Sequence, residues 1–345
     1  MNTFTSATLI RVLAGLDMPQ TFLLDGFFPD IALFDDEKVY FDRLERALGL
    51  APFVSPLARG MATAARGFQT DSFTPAYVKP KNEVTPNRVL KRRPGEALGG
   101  AMSAQARRDA IIADLLLEQM QKIRRRKEWM ASSVLRTGAV TVAGENFPAV
   151  TVDFGRAAGH TITLTSGARW GEAGVEPLDD IEAWADTVAI ASGAAAQTVV
   201  MDPKAWALAR KSPRMDKQLD FRRVMGGEVQ TGPLARGQER WGQYVGSVGQ
   251  FDFHVYSQPF VDEAGSAGNM MPDHTVILGA MGAESGVAGY QAQGAIMDPR
   301  AGYQAVEMWP KNWIDEDPAT EWVMTQSAPL VIPARPNASF CATVR

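Results

Sequence analysis

One stretch constrains this chain more than any other: residues 103–136, whose apolar spacing predicts a single long helix. Ile112, Leu116, Met120, Ile123, Met130 and Val134 recur at helical intervals, and Lys127 is the one break in the stripe. Ser103 is placed to cap the start and Gly138 to stop the end. At its standard rise such a helix is roughly 50 Å long. Nothing else in the chain continues that pattern. The 21 prolines and 31 glycines are spread widely, which favours turns and short strands over a helical bundle.

Downstream of the helix the period changes. Val140 and Val142, then Val150, Val152 and Phe154, then Ile162 and Leu164 alternate, with AGEN at 143–146 as a turn, so a β-hairpin and a further strand are expected. A helix over 177–193 carries Ile181, Trp184 and Val188, with Asp179 or Asp180 as its cap and Gly193 as its stop. QTVVM reads as a buried strand, Pro203 opens a short helix, and WGQYVGSVGQFDFHVYS reads as two strands across a glycine turn. HTVILGA is another strand, and Glu321–Ile332 a final strand-pair element. The class is α+β.

Two segments before the helix carry opposite charge. Residues 17–45 hold eight acids and two bases, a net of −6, interleaved with Phe27, Phe28, Phe34, Tyr40 and Phe41. Either this is a solvated surface segment, or its aromatics pack on something, as an arm lying on a neighbouring subunit would allow. Residues 59–93 hold eight bases and two acids, a net of +6. Pro75, Pro80 and Pro86 speak against helix there, so an extended edge hairpin is expected. On the long helix, Lys122, Arg124, Arg125, Arg126 and Lys127 form a basic cluster. A solvated face is the ordinary reading, with DNA or a neighbour's acidic arm as the alternative.

Bulk properties exclude several functions. With 345 residues, 46% of them hydrophobic, the chain can bury a sizeable core in two or more lobes. A net charge of −4 argues against bulk polyanion binding. The single cysteine, Cys341, rules out an intrachain disulfide and suits a reducing compartment. No run approaches the ~18 apolar residues of a membrane span, and the N-terminus lacks the cationic start of a signal peptide. His160, His254 and His274 stand apart, and no zinc-binding, phosphate-cradling or nucleophile-elbow motif occurs. Asp179, Asp180 and Glu182 cluster, but a helix start is sufficient reason for them. No enzyme activity, cofactor or metal is expected.

A set of longer motifs then converges. DDEKVYFDRL (35–44), FVSPLARG (53–60), FTPAYVKPKNEVTP (73–86), DDIEAW (179–184) and DPKAWAL (202–208) occur in order. MPDHTVILG (271–279), WPKNW (309–313), DPATEW (317–322) and QSAPLVIP (326–333) follow. In order and spacing they resemble the phage major capsid protein E family across nearly the whole chain. The resemblance implies the Johnson fold of tailed-phage capsids. It implies an N-terminal arm at 1–48, an extended loop at 49–95, a peripheral domain at 96–176 and 296–345, and an axial domain at 177–295. The function it implies is self-assembly into the hexamers and pentamers of an icosahedral head around double-stranded DNA. Scaffold, portal and decoration proteins are the implied partners, without any membrane, and the host cytoplasm is the implied site of assembly. A nanocompartment shell of the same fold and a soluble α/β enzyme are the competing readings.

On that template, arm and loop meet between neighbouring subunits. The expected contact residues are Phe27, Phe28, Asp35, Asp36, Glu37 and Tyr40 from the arm. Phe73, Tyr77, Lys79, Lys81, Arg88, Lys91, Arg92 and Arg93 are those of the loop. Charge would set register and partner choice, and buried aromatics would supply affinity.

Overall fold

A computed structural model describes residues 4–16, 21–44, 68–92, 102–144, 147–218, 223–225, 228–230, 242–263, 265–282, 289–317 and 320–345. Helices α1 (Ser6–Ala14) and α2 (Phe22–Phe27) precede strands β1 (Asp30–Phe34), β2 (Val39–Leu44), β3 (Phe68–Phe73) and β4 (Lys81–Val84). Helix α3 (Pro86–Leu90) leads to the long helix α4 (Ala104–Thr137). Strands β5 (Ala139–Gly144), β6 (Phe147–Asp153) and β7 (Thr161–Thr163) follow. The next elements are α5 (Pro177–Ser192), β8 (Thr198–Met201), α6 (Pro203–Ala209) and α7 (Pro213–Gln218). Then come β9 (Arg223–Met225), β10 (Glu228–Gln230), β11 (Gly242–Val248), β12 (Phe251–Tyr256), β13 (Pro259–Val261) and β14 (Ala267–Asn269). The chain closes with β15 (Thr275–Gly279), β16 (Tyr290–Gly294), β17 (Trp309–Asp315), β18 (Thr320–Gln326), β19 (Pro329–Ile332) and β20 (Ser339–Thr343).

Helix α4 forms for the reasons its sequence states. The Ser103 hydroxyl accepts the Ala106 N–H at its start, and Gly138 ends it in the left-handed region at φ 73°. All six residues of the expected stripe are buried. Lys127 is not a break in it: the side chain is fully buried and ion-paired. Two further local expectations are corrected. Pro86 does not forbid a helix but opens α3, where its missing N–H has no intrahelical partner to lose. Asp179 and Asp180 do not cap α5, whose N-cap position is Glu176. Asp180 instead accepts the Trp170 indole N–H at 2.8 Å, and Asp179 pairs with Arg214.

A six-stranded mixed sheet, in the order β11-β12-β8-β15-β20-β7, separates two cores. Val199 and Met201 of β8, Val276 and Leu278 of β15, and Phe340 and Ala342 of β20 face α5 and α6. Val200, Ile277 and Cys341, the residues between them, face α2 and the C-terminal half of α4. That two-sided burial is why these strands read as unbroken apolar runs. Strand β20, in the segment expected to belong to the peripheral domain, pairs with β15 on one side and β7 on the other. A third core lies at the other end of α4, where Ile112, Leu116 and Met120 meet Leu9 and Leu13 of α1, Val84 and Val323.

Two three-stranded sheets complete the body: β17-β18-β4 and β1-β16-β19. Glu321 and Ile332 therefore bound two strands in different sheets, not a pair. Among the described residues four strand pairs, β2-β3, β5-β6, β9-β10 and β13-β14, share no strand with these sheets. In β5-β6 the expected inward residues Val140, Val142 and Val152 are buried, whereas Val150 is exposed.

Candidate assembly surface

What α4 grips decides which segments remain for a neighbour. Along its buried face five polar side chains hold other parts of the chain. Arg108 makes a two-pronged bond to Glu321 of β18, at 2.7 and 2.6 Å. The Gln119 amide donates to Asn82 and to the Val323 carbonyl, and accepts from Thr325. Lys127 pairs with Glu307 at 2.7 Å. Glu128 accepts the backbone N–H groups of Leu23 and Leu24 and the Tyr256 hydroxyl. Ser132 donates to the Met270 carbonyl.

Burial drives the ionisation at these positions. It pushes Lys127 down, against the pull of the Glu307 carboxylate. It pushes Glu128 up, against the three donors that favour its charged form. The Tyr256 phenol is raised by burial and by the adjacent Glu128 charge, so its proton stays on the oxygen and points at the carboxylate. Sequence reading passed over these anchors. Their signal was polar residues, Arg108, Gln119 and Lys127, lying at helical spacing within the apolar stripe.

Four of the five cations in the basic cluster of α4 pair within their own chain, while Arg125 is exposed. Lys122 pairs with Glu118, Arg124 with Asp25, Arg126 with Glu263 and Lys127 with Glu307. Arg124 also donates to the Thr21 hydroxyl. A solvated face was the ordinary expectation, and a neighbour's acidic arm the alternative; for Arg124 the acidic partner is Asp25 of the same chain.

The arm residues divide. Phe27 and Phe28 were expected on a neighbouring subunit and are instead buried in their own core. The two glycines beneath them explain the fit: a Cβ at Gly279 would come within 2.8 Å of Phe27, and one at Gly289 within 2.3 Å of Phe28. Strand β1 pairs in parallel with β16, from Asp30 opposite Tyr290 to Phe34 opposite Gly294. Beyond it, Asp35 accepts the Ala305 N–H at 2.7 Å. Asp36 and Glu37 are exposed in the turn that follows, and Tyr40 is half exposed.

The loop residues divide as well. Strands β2 and β3 form an antiparallel hairpin that begins within the expected arm, pairing Val39 with Phe73 and Leu44 with Phe68. Phe73 packs on the body's core. The Tyr77 hydroxyl donates to the Ala295 carbonyl at 2.6 Å and accepts the Met297 N–H; burial raises its pKa. Lys79 lies over the Tyr77 ring at 4.5 Å. Lys81 lies over Trp322 at 3.6 Å, on the sheet β17-β18-β4. Arg88, Lys91 and Arg92 are exposed around the end of α3. Arg93, and the 45–67 stretch carrying FVSPLARG, Arg59 and Arg66, lie outside the described residues. Asp35 and Tyr77 thus gather on the 295–305 segment, with Glu37 close enough to act on Tyr77 and Lys79 stacked on its ring.

A long helix, an arm fastened to it, a hairpin outside the sheets and an α/β lobe make up a fold that solved phage capsid proteins share. A prophage capsid protein of Escherichia coli CFT073 superposes over the whole of both chains with a TM-score of 0.78 at 24% identity. The capsid protein of Ralstonia phage GP4 does so with a TM-score of 0.52 at 12% identity, over 95% of this chain and 92% of that one. The pattern of the phage major capsid protein E family matches residues 5–344. The chain belongs to that family. The major capsid proteins of Escherichia phage lambda and Escherichia phage N15 are each 34% identical to it over 344 residues, with 98% of both chains covered. Its role is structural rather than enzymatic, and its place is the phage capsid. Among the described residues no helix is long and apolar enough to cross a membrane.

Proposed function

We propose that identical copies of this chain form the hexamers and pentamers of an icosahedral head enclosing double-stranded DNA. The observation that carries this is the match of residues 5–344 to a capsid family, with an α4-centred body that leaves a hairpin free of its sheets. Closed shells need complementary patches on one surface, repeated with slightly altered angles. Residues 1–48 then act as the arm and 49–95 as the extended loop. Residues 96–176 and 296–345 act as the peripheral domain, and 177–295 as the axial domain. Of the expected contact residues, the exposed ones serve a neighbour: Asp35, Asp36, Glu37, Tyr40, Lys79, Lys81, Arg88, Lys91 and Arg92.

The reading extends to partners. A scaffold and a portal protein direct assembly, a decoration protein binds the finished shell, and DNA is enclosed without sequence preference. Assembly takes place in the host cytoplasm. The test is expression of the chain with its scaffold, followed by electron microscopy. Closed shells built of six- and five-membered rings are the expected result. A chain that stays monomeric under those conditions, or that forms only open sheets, overturns the reading.

A further inference from the structure

The outward face of the sheet β17-β18-β4 is unusual for a surface. Its register sets Lys311, Met324 and Lys81 side by side across the three strands, with Trp313, Trp322 and Glu83 in the next row. Alternation turns the intervening Asn312, Val323 and Glu321 inward, where all three are buried. The outward row keeps two large indoles only partly covered. Lys81 lies over both rings, 3.6 Å from the Trp322 centroid and 5.0 Å from that of Trp313.

Lys81, Arg300, Lys311, Trp313 and Met324 line an open cleft of about 540 Å³. Three cations and no carboxylate face into it. Asp298, the partner of Lys311 at 2.8 Å, is itself buried. Lys81 and Arg300 make no ion pair among the described residues. Cations set around an indole and a thioether suit an acidic segment with apolar flanks. Duplex DNA fits less well: the indoles would stack only on unpaired bases, and the whole chain carries a net −4.

We infer that this cleft receives the β1–β2 turn of a second copy of the chain. In that turn Asp36 and Glu37 are exposed and form no ion pair with any described cation of their own chain. Asp35, bonded to the Ala305 N–H, fixes the base of the turn, so little ordering remains for docking. Leu33 and Tyr40, 58% and 50% exposed, flank the acids. Two acids between apolar residues meet cations around an apolar floor. The inference rests on the shell reading above and names one contact within that shell.

Charge exchange tests it. Asp36→Lys with Glu37→Lys reverses the turn, and Lys81→Glu with Arg300→Glu reverses the cleft. Each double variant is expected to lower the yield of closed shells by at least about tenfold, and the fourfold variant to recover most of it. Thermal melting of the unassembled chain separates assembly loss from misfolding. If the Lys81 change lowers the melting temperature, the pair Glu37→Arg and Arg300→Glu, which leaves the stacked lysine in place, is read in the same way. Wild-type yields from both double variants, or a folded fourfold variant without recovery, overturn the contact. So does rescue of the reversed cleft by Glu316→Lys with Asp317→Lys, since a different acidic turn would then be the occupant. Normal shells that fail only to retain DNA overturn it too. Absence of shells from the wild-type chain removes the shell reading itself, whereas wild-type shells with indifferent variants remove only this contact.

Discussion

Glu128 accepts the backbone N–H of Leu23 at 2.9 Å, and that bond ties the N-terminal segment to the long helix of its own subunit. The second carboxylate oxygen takes the Leu24 N–H at 2.7 Å, and the Tyr256 hydroxyl completes the set. The root of the arm therefore stays with its own body.

Glu128→Ala removes the acceptor of two buried N–H groups and a buried hydroxyl. Each orphaned group costs about 1–3 kcal/mol, so the loss of stability is expected at about 3 kcal/mol or more. Hydrogen exchange at the Leu23 and Leu24 amides should accelerate well beyond the global change. Unaltered exchange there would show that another contact holds the segment.

Arg108 and Glu321 are both buried and meet through both prongs of the guanidinium. Arg108→Ala strands a buried carboxylate, an effect of about 3–5 kcal/mol in urea denaturation. Replacing both, Arg108→Met with Glu321→Leu, should cost clearly less than the single change, because no buried charge is left unpaired. A double variant as unstable as the single one would argue that the pair contributes more than mutual neutralisation.

Burial lowers the His160 pKa, aided by the nearby Arg156 charge and opposed by the hydrogen bond to the Ser339 carbonyl. A depressed folded value means the unfolded chain binds the proton more readily. The stability from neutral His160 is full above the unfolded pKa near 6.5 and is lost as pH falls through the folded value. Melting temperatures should therefore drop on acidification below about pH 6.5. His160→Asn, which keeps a donor toward Ser339 but does not titrate, should flatten that drop.

Burial pushes the Cys341 thiol up to about 11, against the opposing charges of Arg156 and Arg136. At neutral pH it is protonated and enclosed between β15 and β7. Iodoacetamide should label it slowly in the native chain and quickly in denaturant, as read by mass spectrometry. Equal rates in the two states would contradict its enclosure.

Local signals carried much of the fold. The caps at Ser103 and Gly138, the stripe of α4 and the alternation of β5 are set by neighbours within a few residues, which the sequence displays directly. The candidate contacts were less legible. Aromatics in an acidic segment look the same whether they pack on a neighbour or, like Phe27 and Phe28, on their own core. Opposite net charges in two segments did not show where each charge would go: Asp25 found Arg124, while Asp36 and Glu37 are exposed.

By itself, then, the sequence determined the α+β class, the long helix and its limits, most strand positions and the capsid family. Hydrophobic period, capping and motif order are properties of short stretches, legible without knowing what lies across the core. Only the tertiary structure decided that β20 enters the six-stranded sheet, that Glu128 holds the N-terminal segment and that Lys81, Arg300 and Lys311 share one cleft. Each depends on residues far apart in the chain brought together by packing, and burial then sets which charges are paired inside and which stay exposed at the surface.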